Sequence, residues 1–231
     1  MNQKRIKVVR RQATLDDVDA IFQLDQEVWT EFPGTREMFA SRIETFPEGN
    51  FVSVVENKVV GYLCEQFINF DLDHPKPFTW LEITDNGMLK KSHNPKGNYV
   101  YGVSMMVSNK FQGFGIGTQL ILCGWGLMIS NNKWGTFIGS RIPDFQKSGM
   151  SIDKYISQVR EDSLSIDSEL RLYQKDGCKT IMVLPNYISD PESGNYGVLV
   201  YRYNPFHNWP FKKMIAYALR NIGPKFIRSS F

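Results

Sequence analysis

The stretch Gln112-Gly113-Phe114-Gly115-Ile116-Gly117 is a glycine-rich turn between two apolar segments. Residues 99–107 before it are rich in Val, Tyr and Met, which indicates a β-strand, and residues 116–129 after it indicate a mostly apolar helix. Glycine has no Cβ, so the turn can bring several backbone N–H groups together without steric cost. The first N–H groups of the helix also lack intrahelical acceptors and lie at the positive end of its dipole. This segment therefore predicts a site for a phosphate or pyrophosphate group.

Three kinds of nucleotide-binding loop combine a strand, a glycine turn and a helix. A Walker loop ends in Gly-Lys-Ser/Thr, but here Gly117 is followed directly by Thr118. A dinucleotide-binding loop has the spacing Gly-x-Gly-x-x-Gly and an acidic residue after the next strand, whereas this turn reads Gly-x-Gly-x-Gly. A loop that binds coenzyme A has Gln or Arg followed by x-x-Gly-x-Gly, and this pattern begins at Gln112.

The rest of the chain also alternates between strand-like and helix-like segments. Thr14 precedes two acidic residues and begins a helix whose apolar residues continue at helical spacing to Trp29. Asn57 and Lys58 predict a tight turn between two strands, because Asn tolerates the left-handed region. The predicted strands are residues 6–12, 51–56, 59–70, 99–107, 134–140, 180–184 and 196–203, and the predicted helices are residues 14–29, 35–46, 116–129, 152–160 and 168–175.

The composition excludes several classes of protein. The 231 residues are 42% hydrophobic and 22% charged, which is ordinary for a globular domain and argues against disorder. A net charge of +3 is too small to indicate a nucleic-acid-binding protein, and no stretch approaches the roughly 20 apolar residues that span a bilayer. Three cysteines without metal-ligand spacing predict buried free thiols and no metal site. We therefore predict a cytosolic protein, since residues 1–11 also lack the apolar core of a signal peptide.

Two long polar segments and a basic tail accompany the regular elements. Residues 71–98 and 142–168 are longer than strand connections require, so we expect them to form substrate loops. Residues 207–231 contain five Lys or Arg and no acidic residue, with Trp209, Met214, Ile215, Tyr217 and Ala218 at helical spacing. We expect this tail to pack on the domain formed by residues 1–206, or on the second subunit of a homodimer, rather than on a membrane surface.

Residues 107–120, with the sequence Val-Ser-Asn-Lys-Phe-Gln-Gly-Phe-Gly-Ile-Gly-Thr-Gln-Leu, resemble the acetyl-CoA loop of the GCN5-related N-acetyltransferases (GNAT). The two opening helices, the hairpin over residues 51–70 and the stretch around Tyr173 and Gly177 also fall where that family places them, so the resemblance covers about residues 5–203. Asn109 replaces a common proline and Cys178 a common aromatic residue, but neither belongs to the phosphate-binding turn. The resemblance implies a single α/β domain whose mixed, mostly antiparallel sheet splays beside the glycine loop, with helices on both faces.

Three further segments, residues 80–87, 93–97 and 141–143, resemble a branch of this family that is often fused to a carbon–nitrogen hydrolase domain. The 231 residues leave no room for a second domain of that kind, so we do not expect hydrolase activity. For the transferase domain, the resemblance implies that a primary amine of a small molecule attacks the thioester of acetyl-CoA directly. The alternative is a domain of the same fold that binds acyl-CoA as a sensor, without turnover.

The resemblance also assigns roles to individual residues. Tyr173 would protonate the departing thiolate, unless it only packs its helix against the sheet. Arg141 would meet a carboxylate on the substrate, or remain a charge at the rim. The fourth strand would bind the pantetheine arm and polarise the thioester carbonyl, and the glycine turn would hold the pyrophosphate. These coenzyme-binding residues are Met105, Met106, Val107, Gln112, Gly113, Phe114, Gly115, Ile116, Gly117 and Thr118.

A general base is needed to remove a proton from the ammonium group of the acceptor. Glu65 and Glu82 are the candidates, because a carboxylate that faces the cleft has its pKa raised towards neutrality by burial. The alternation of residues 62–67 leaves open which face of the sheet Glu65 occupies. In the other interpretation, each of these glutamates is an exposed surface residue.

Overall fold

A computed structural model describes residues 5–29, 33–221 and 226–228 of the chain. Over these ranges the chain forms eight strands: β1 (Arg5–Gln12), β2 (Asn50–Val55), β3 (Lys58–Ile68), β4 (Tyr99–Val107), β5 (Gly135–Ser140), β6 (Lys179–Leu184), β7 (Gly197–Tyr203) and β8 (Phe226–Arg228). It also forms eight α-helices: α1 (Val18–Val28), α2 (Arg36–Thr45), α3 (Trp80–Ile83), α4 (Ile116–Ser130), α5 (Phe145–Ser148), α6 (Ile152–Ser157), α7 (Ser168–Lys175) and α8 (Lys212–Asn221). Every strand and helix predicted from the sequence is present, and the tail residues 222–225 and 229–231 lie outside the described residues.

The strands form one sheet in the order β6-β7-β5-β4-β3-β2-β1-β8. Among the described strands only β4 and β5 pair in parallel, because the crossover through α4 returns the chain in the same direction. That ladder is short: it begins where Val100 faces Thr136 and ends where Gly102 faces Ile138. The sheet is therefore mixed, mostly antiparallel and splayed between β4 and β5, which confirms the predicted fold.

Helices cover both faces of the sheet, and three apolar cores lie beneath them. The first core is under α1 and α2, the second under α4, and the third under α7. The first core includes Ile21, Phe39 and Tyr62. The second includes Leu63, Leu120 and Leu127. The third includes Tyr155, Leu170 and Val198. Leu199 belongs to the first core and its neighbours Val198 and Val200 to the third, as the alternation of a strand requires. α4 and α7 therefore lie side by side on one face, on either side of the splay.

The hairpin between β2 and β3 turns one residue earlier than predicted. Glu56 and Asn57 both have positive φ angles, 46° and 63°, as a two-residue hairpin turn requires. Lys58 already pairs with Val55 and so belongs to β3. The predicted turn at Asn57 and Lys58 is therefore wrong by one residue, because Glu56 takes up the left-handed conformation.

The basic tail packs on the domain only in part. Ile215 and Ala216 of α8 contact the core beneath α4, so one side of this helix is covered. Trp209, Met214 and Tyr217 are exposed on the chain as described, and the alternative expectation, that the tail packs on the second subunit of a homodimer, stays a prediction. β8 extends the sheet by pairing with β1. No strand was predicted there, because three residues are too few to show a periodic pattern.

The three cysteines are buried and free of disulfides among the described residues, as predicted. None of the helices that the structure describes is both long and apolar enough to cross a membrane. Nor do the described ranges contain a group of three His, Cys, Asp or Glu side chains placed to hold a metal ion.

Candidate active site

The glycine turn forms an open cradle at the start of α4. Gly113 and Gly115 have φ angles of +79° and +78°, in the left-handed region that favours glycine. A Cβ built on either residue would meet no described heavy atom within 4 Å, so this side of the turn is open. The first N–H groups of α4 and the positive end of its dipole converge at the same place. The cradle therefore fits the pyrophosphate of coenzyme A.

Hydrogen bonds fix the position of the turn. The side-chain amide of Gln112 donates to Asn109 Oδ1 at 3.1 Å. Ser108 Oγ and the backbone N–H of Asn109 both donate to Glu27 Oε1 of α1, at 2.9 and 2.8 Å. Asn109 stands where the family commonly has proline, which has no backbone N–H. In this chain the substitution allows the cradle to be tied to α1.

A cavity of about 1210 Å³, including its space open to solvent, lies where β4 and β5 splay apart. Since residues from both faces of the sheet line it, the cavity passes between the two strands. Past Gly102, the edge of β4 that faces β5 has no ladder partner among the described strands. Backbone groups there, near Met105, are available to an extended ligand. The walls include Asp25, Trp29, Met38 and Trp80 on the α1–α2 face, and Glu65, Trp125, Glu169 and Tyr173 on the α4–α7 face.

Two residues of α7 lie together at the wall of the cavity. Glu169 and Tyr173 are four positions apart, which places them on the same side of the helix. Tyr173 is 8% exposed, and burial together with the nearby Glu169 raises the pKa of its hydroxyl well above the usual value. The hydroxyl therefore stays protonated at neutral pH. Tyr173 lies within the cavity wall as its assigned role requires, and that role stays a prediction.

Glu169 is a candidate functional residue that the sequence did not reveal. Its side chain is half-buried, and burial raises its pKa to about 7, while Arg141 acts in the opposite direction. Asp167 and Asp190 add to the increase through their negative charge. From the sequence alone, Glu169 is an ordinary acidic residue in the first turn of a helix, where a negative charge is favourable. Its spacing of four residues from Tyr173 was the signal that could have identified it.

Glu65 lies on the inner side of α4, beneath Gly124. A Cβ at Gly124 would overlap the carboxylate of Glu65, so the helix has a glycine where the carboxylate approaches its backbone. Burial raises the pKa of Glu65 to about 8, although Arg220 acts to lower it. Within the described residues, Oε2 has no hydrogen-bond partner. Glu65 is therefore buried at the cavity wall. It lies on the face of the sheet that α4 covers, which the strand pattern alone could not determine.

Glu82, the second predicted base, is not brought to the cavity. It is exposed at the start of α3, where Thr79 and Glu82 form a capping box. The backbone N–H of Thr79 donates to Glu82 Oε2 at 2.8 Å, and that of Glu82 donates to Thr79 Oγ1 at 3.2 Å. These contacts lower the pKa of Glu82, opposite to the change expected of a base. The spacing Thr-x-x-Glu is the sequence signature of such a cap.

Arg141 lines the cavity, but its charge is already balanced. Its Nε and one terminal nitrogen donate to the two carboxylate oxygens of Asp190, at 2.7 and 2.9 Å. The guanidinium also lies 4.9 Å from the ring centre of Trp29. Arg141 therefore supports the wall formed by Trp29, and its predicted contact with a substrate carboxylate stays a prediction.

The two long polar segments differ in their relation to the cavity. Trp80 of the first segment lines it, and its indole N–H donates to the carbonyl of Val103 in β4 at 2.9 Å. No residue of the second segment, 142–168, lines it in the structure as described. Tyr155 of that segment is buried in the third core, and its hydroxyl donates to Asp167 Oδ2 at 2.9 Å. The second segment thus forms a core of its own, because its apolar side chains pack against β7.

Comparisons with known proteins agree with this geometry. The acetyltransferase (GNAT) family model matches residues 18–123. An uncharacterised N-acetyltransferase of Bacillus subtilis, YkwB, is 31% identical over 204 residues, which cover 85% of this chain and 89% of that protein. A protein of the same bacterium described as a probable hydrolase, YhcX, is 32% identical over 187 residues; these cover 80% of this chain but only 36% of that protein.

Solved structures show the same fold. The loading GNATL domain of CurA from Lyngbya majuscula has a TM-score of 0.76 at 24% identity, over 85% of this chain and 98% of that one. The GphF GNAT-like decarboxylase, in complex with isobutyryl-CoA, has a TM-score of 0.69 at 18% identity, over 85% and 99% of the two chains. At these identities the likeness concerns the fold alone.

Proposed function

This chain belongs to the acetyltransferase (GNAT) family, in the branch related to hydrolase fusions, and from that premise we propose that it transfers an acetyl group from acetyl-CoA to a primary amine of a small molecule. The observation that carries the proposal is the cavity through the splay of β4 and β5. Such a passage lets the donor enter from the α4–α7 face and the acceptor from the α1–α2 face. The two substrates would then meet at the edge of β4.

The donor would lie along β4 towards the glycine cradle. Gly113 and Gly115 leave room for the pyrophosphate at the start of α4. The unpaired edge of β4 would hydrogen-bond the pantetheine arm, and a backbone N–H near Met105 would polarise the thioester carbonyl. This arrangement supports a donor of the acyl-CoA class.

Both glutamates at the cavity wall have a pKa raised towards the neutral range by burial, to about 8 for Glu65 and about 7 for Glu169, so either carboxyl could accept a proton there. Their positions separate them. Glu169 shares its helix and its cavity wall with Tyr173. We therefore assign the base to Glu169 and regard Glu65 as the weaker candidate.

The reaction would need only these two residues to handle protons. The ammonium of the acceptor loses one proton to Glu169, which releases it to solvent, and the free amine attacks the carbonyl carbon while the C–S bond breaks. As the amide forms, the nitrogen loses its second proton to Glu169. Tyr173 donates a hydrogen bond to the departing thiolate. Full proton transfer from its phenol to a thiolate of pKa about 8.5 is uphill, since burial has raised the pKa of Tyr173. Protonated Glu169 is the stronger acid and would pass this second proton to the thiolate, which leaves as the thiol of coenzyme A.

The acceptor side favours a cationic amine. Asp25 lines it with its pKa raised by burial, and it accepts a hydrogen bond from the backbone N–H of Gly34 at 2.6 Å. Arg141, which would favour an acidic acceptor, is engaged by Asp190. Trp29 and Trp80 supply aromatic walls, and the guanidinium groups of Arg141 and Arg42 already lie 4.9 and 5.7 Å from the centres of their rings.

The test measures thiol release from acetyl-CoA over a panel of amines, with and without Glu169→Gln. We expect kcat/KM of the wild type to rise with pH, with an apparent pKa of about 7. Glu169→Gln should lower turnover by roughly 10²-fold and remove that rise. Glu82→Gln makes the same chemical change at the exposed cap and should leave the pH profile unchanged.

Two outcomes would contradict the proposal. Binding of acetyl-CoA without thiol release for any amine would favour the sensor. If Glu82→Gln lost activity while Glu169→Gln kept the activity of the wild type, the base would be Glu82, one of the two residues predicted from the sequence.

A further inference from the structure

The outer side of α8 and the turn before it expose four large apolar side chains within nine residues. Trp209, Phe211, Met214 and Tyr217 are 46, 62, 69 and 72% exposed. We call these four residues the outer face of α8. They are four of the eleven exposed large hydrophobic residues in the described part of the chain. Two others, Trp134 and Tyr203, lie where β5 begins and the neighbouring β7 ends, and the ring of Trp134 contacts His207.

Packing within the chain does not account for this face. The inner side of α8, formed by Ile215, Ala216 and Leu219, already packs beneath α4. A surface helix normally has one apolar stripe and a polar opposite side. A helix with apolar side chains on its outer side as well is expected to be covered by another surface.

The charge around the outer face of α8 indicates what kind of surface covers it. In the described part of the tail, residues 207–221, the charged side chains are Lys212, Lys213 and Arg220, and there is no Asp or Glu; Arg220 is held against α4, where it donates to Ser130 Oγ at 3.3 Å. Lys213 of α8 is exposed and Lys212 is partly exposed. Aromatic side chains and Met beside lysines are typical of helices that lie in the interface of a membrane. A second copy of the chain fits less well, because a two-fold contact would bring the lysines of both copies together without a compensating acid.

We propose that the outer face of α8 docks on the surface of an anionic phospholipid membrane. The aromatic rings and Met214 enter the headgroup region, while Lys213 meets the lipid phosphates. α8 lies flat on the bilayer, and its inner side remains packed on the domain.

The experiment is flotation of the full chain with vesicles. One set contains phosphatidylglycerol and phosphatidylcholine in equal amounts, and the other phosphatidylcholine alone. We expect the protein to float with the anionic vesicles only, and about 0.5 M salt to weaken this binding because it screens the lysines. The double variant Met214→Glu/Tyr217→Glu should reduce the bound fraction at least about tenfold. Leu15→Glu is the control: this residue is 51% exposed in the turn that precedes α1, outside the tail, and its substitution should change nothing.

Acetyl-CoA binding and the circular dichroism of each variant check that its fold is intact. Absence of flotation with anionic vesicles at low salt would overturn the proposal, as would equal loss of binding in Leu15→Glu. A stable dimer that Met214→Glu dissociates, with no vesicle binding by the wild type, would assign the face to a second copy instead. The proposal is independent of the acyl-transfer reaction, and the activity assay leaves it untouched.

Discussion

The buried carboxyl of Glu65 makes the stability of the fold depend on pH, and Glu65→Gln should remove that dependence. Burial raises the pKa of Glu65 from 4.5 to about 8 in the native state. Because the native state holds this proton more tightly than the unfolded chain, the resulting stability is fully present below pH 4.5. It is lost as the pH rises through about 8. Glutamine matches the shape of the protonated carboxyl and cannot ionise.

The magnitude follows from the two pKa values. The interval from 4.5 to about 8 corresponds to about 5 kcal/mol, at about 1.4 kcal/mol for each pH unit. About 3 kcal/mol of this is already lost at pH 7, which is a large part of the free energy of unfolding of an ordinary domain. We therefore expect Glu65→Gln to unfold at higher urea concentration than the wild type at neutral and alkaline pH.

The assay is urea unfolding, followed by far-ultraviolet circular dichroism, at a series of pH values from about 5 to about 9. The difference in free energy of unfolding between Glu65→Gln and the wild type should grow with pH and level off above about 8. Glu82→Gln is the control, because the cap lowers the pKa of Glu82. The difference in free energy of unfolding between this variant and the wild type should therefore not change with pH over this range. Parallel curves for Glu65→Gln and the wild type would refute the reasoning, since they would mean that Glu65 ionises without a penalty.

Three further variants test the site. Gly115→Val should abolish coenzyme A binding in calorimetry while the fold survives, because a branched side chain would occupy the open side of the cradle at a positive φ; unchanged affinity in a folded variant would remove the cradle from the site. Tyr173→Phe should lower turnover by roughly 10²-fold with coenzyme A affinity nearly intact, because the departing thiolate loses a hydrogen-bond donor, whereas wild-type turnover would make Tyr173 a packing residue. Gly124→Ala should lower the thermal midpoint although alanine favours helices, because its Cβ would overlap the buried carboxyl of Glu65; a higher midpoint would mean that this carboxyl moves aside without cost.

The parts of the fold that local sequence determines were predictable. The cradle and the flanking β4 and α4 are contiguous, so the glycine spacing and the apolar runs suffice to place them. β8 is too short to show a period, and its place beside β1 depends on a contact across almost the whole chain. The splay of the sheet was predicted from the family resemblance alone, because no local sequence pattern determines over how many residues β5 pairs with β4.

The catalytic side of the site was less predictable, for a physical reason. A carboxylate becomes a base through burial and neighbouring charge, which are properties of the tertiary structure. Glu82 looked suitable among apolar neighbours but is used as a helix cap. The register shift between Cys64 and Glu65 interrupts the alternation of β3, so the strand pattern could not decide the face of Glu65. Glu169 resembles an ordinary first-turn acid until α7 is seen to lie against the cavity.

The short ladder between β4 and β5 has a consequence for the behaviour of the chain in solution. A strand with an unpaired edge is a template for edge-to-edge aggregation when another polypeptide can reach it. Here the unpaired edge of β4 lies inside the molecule, between Trp80 on one face of the sheet and Trp125 on the other. A slender extended ligand fits that passage, whereas a strand of another chain would need both walls to move. The fold thus keeps an incomplete sheet open to a small molecule while shielding it from aggregation.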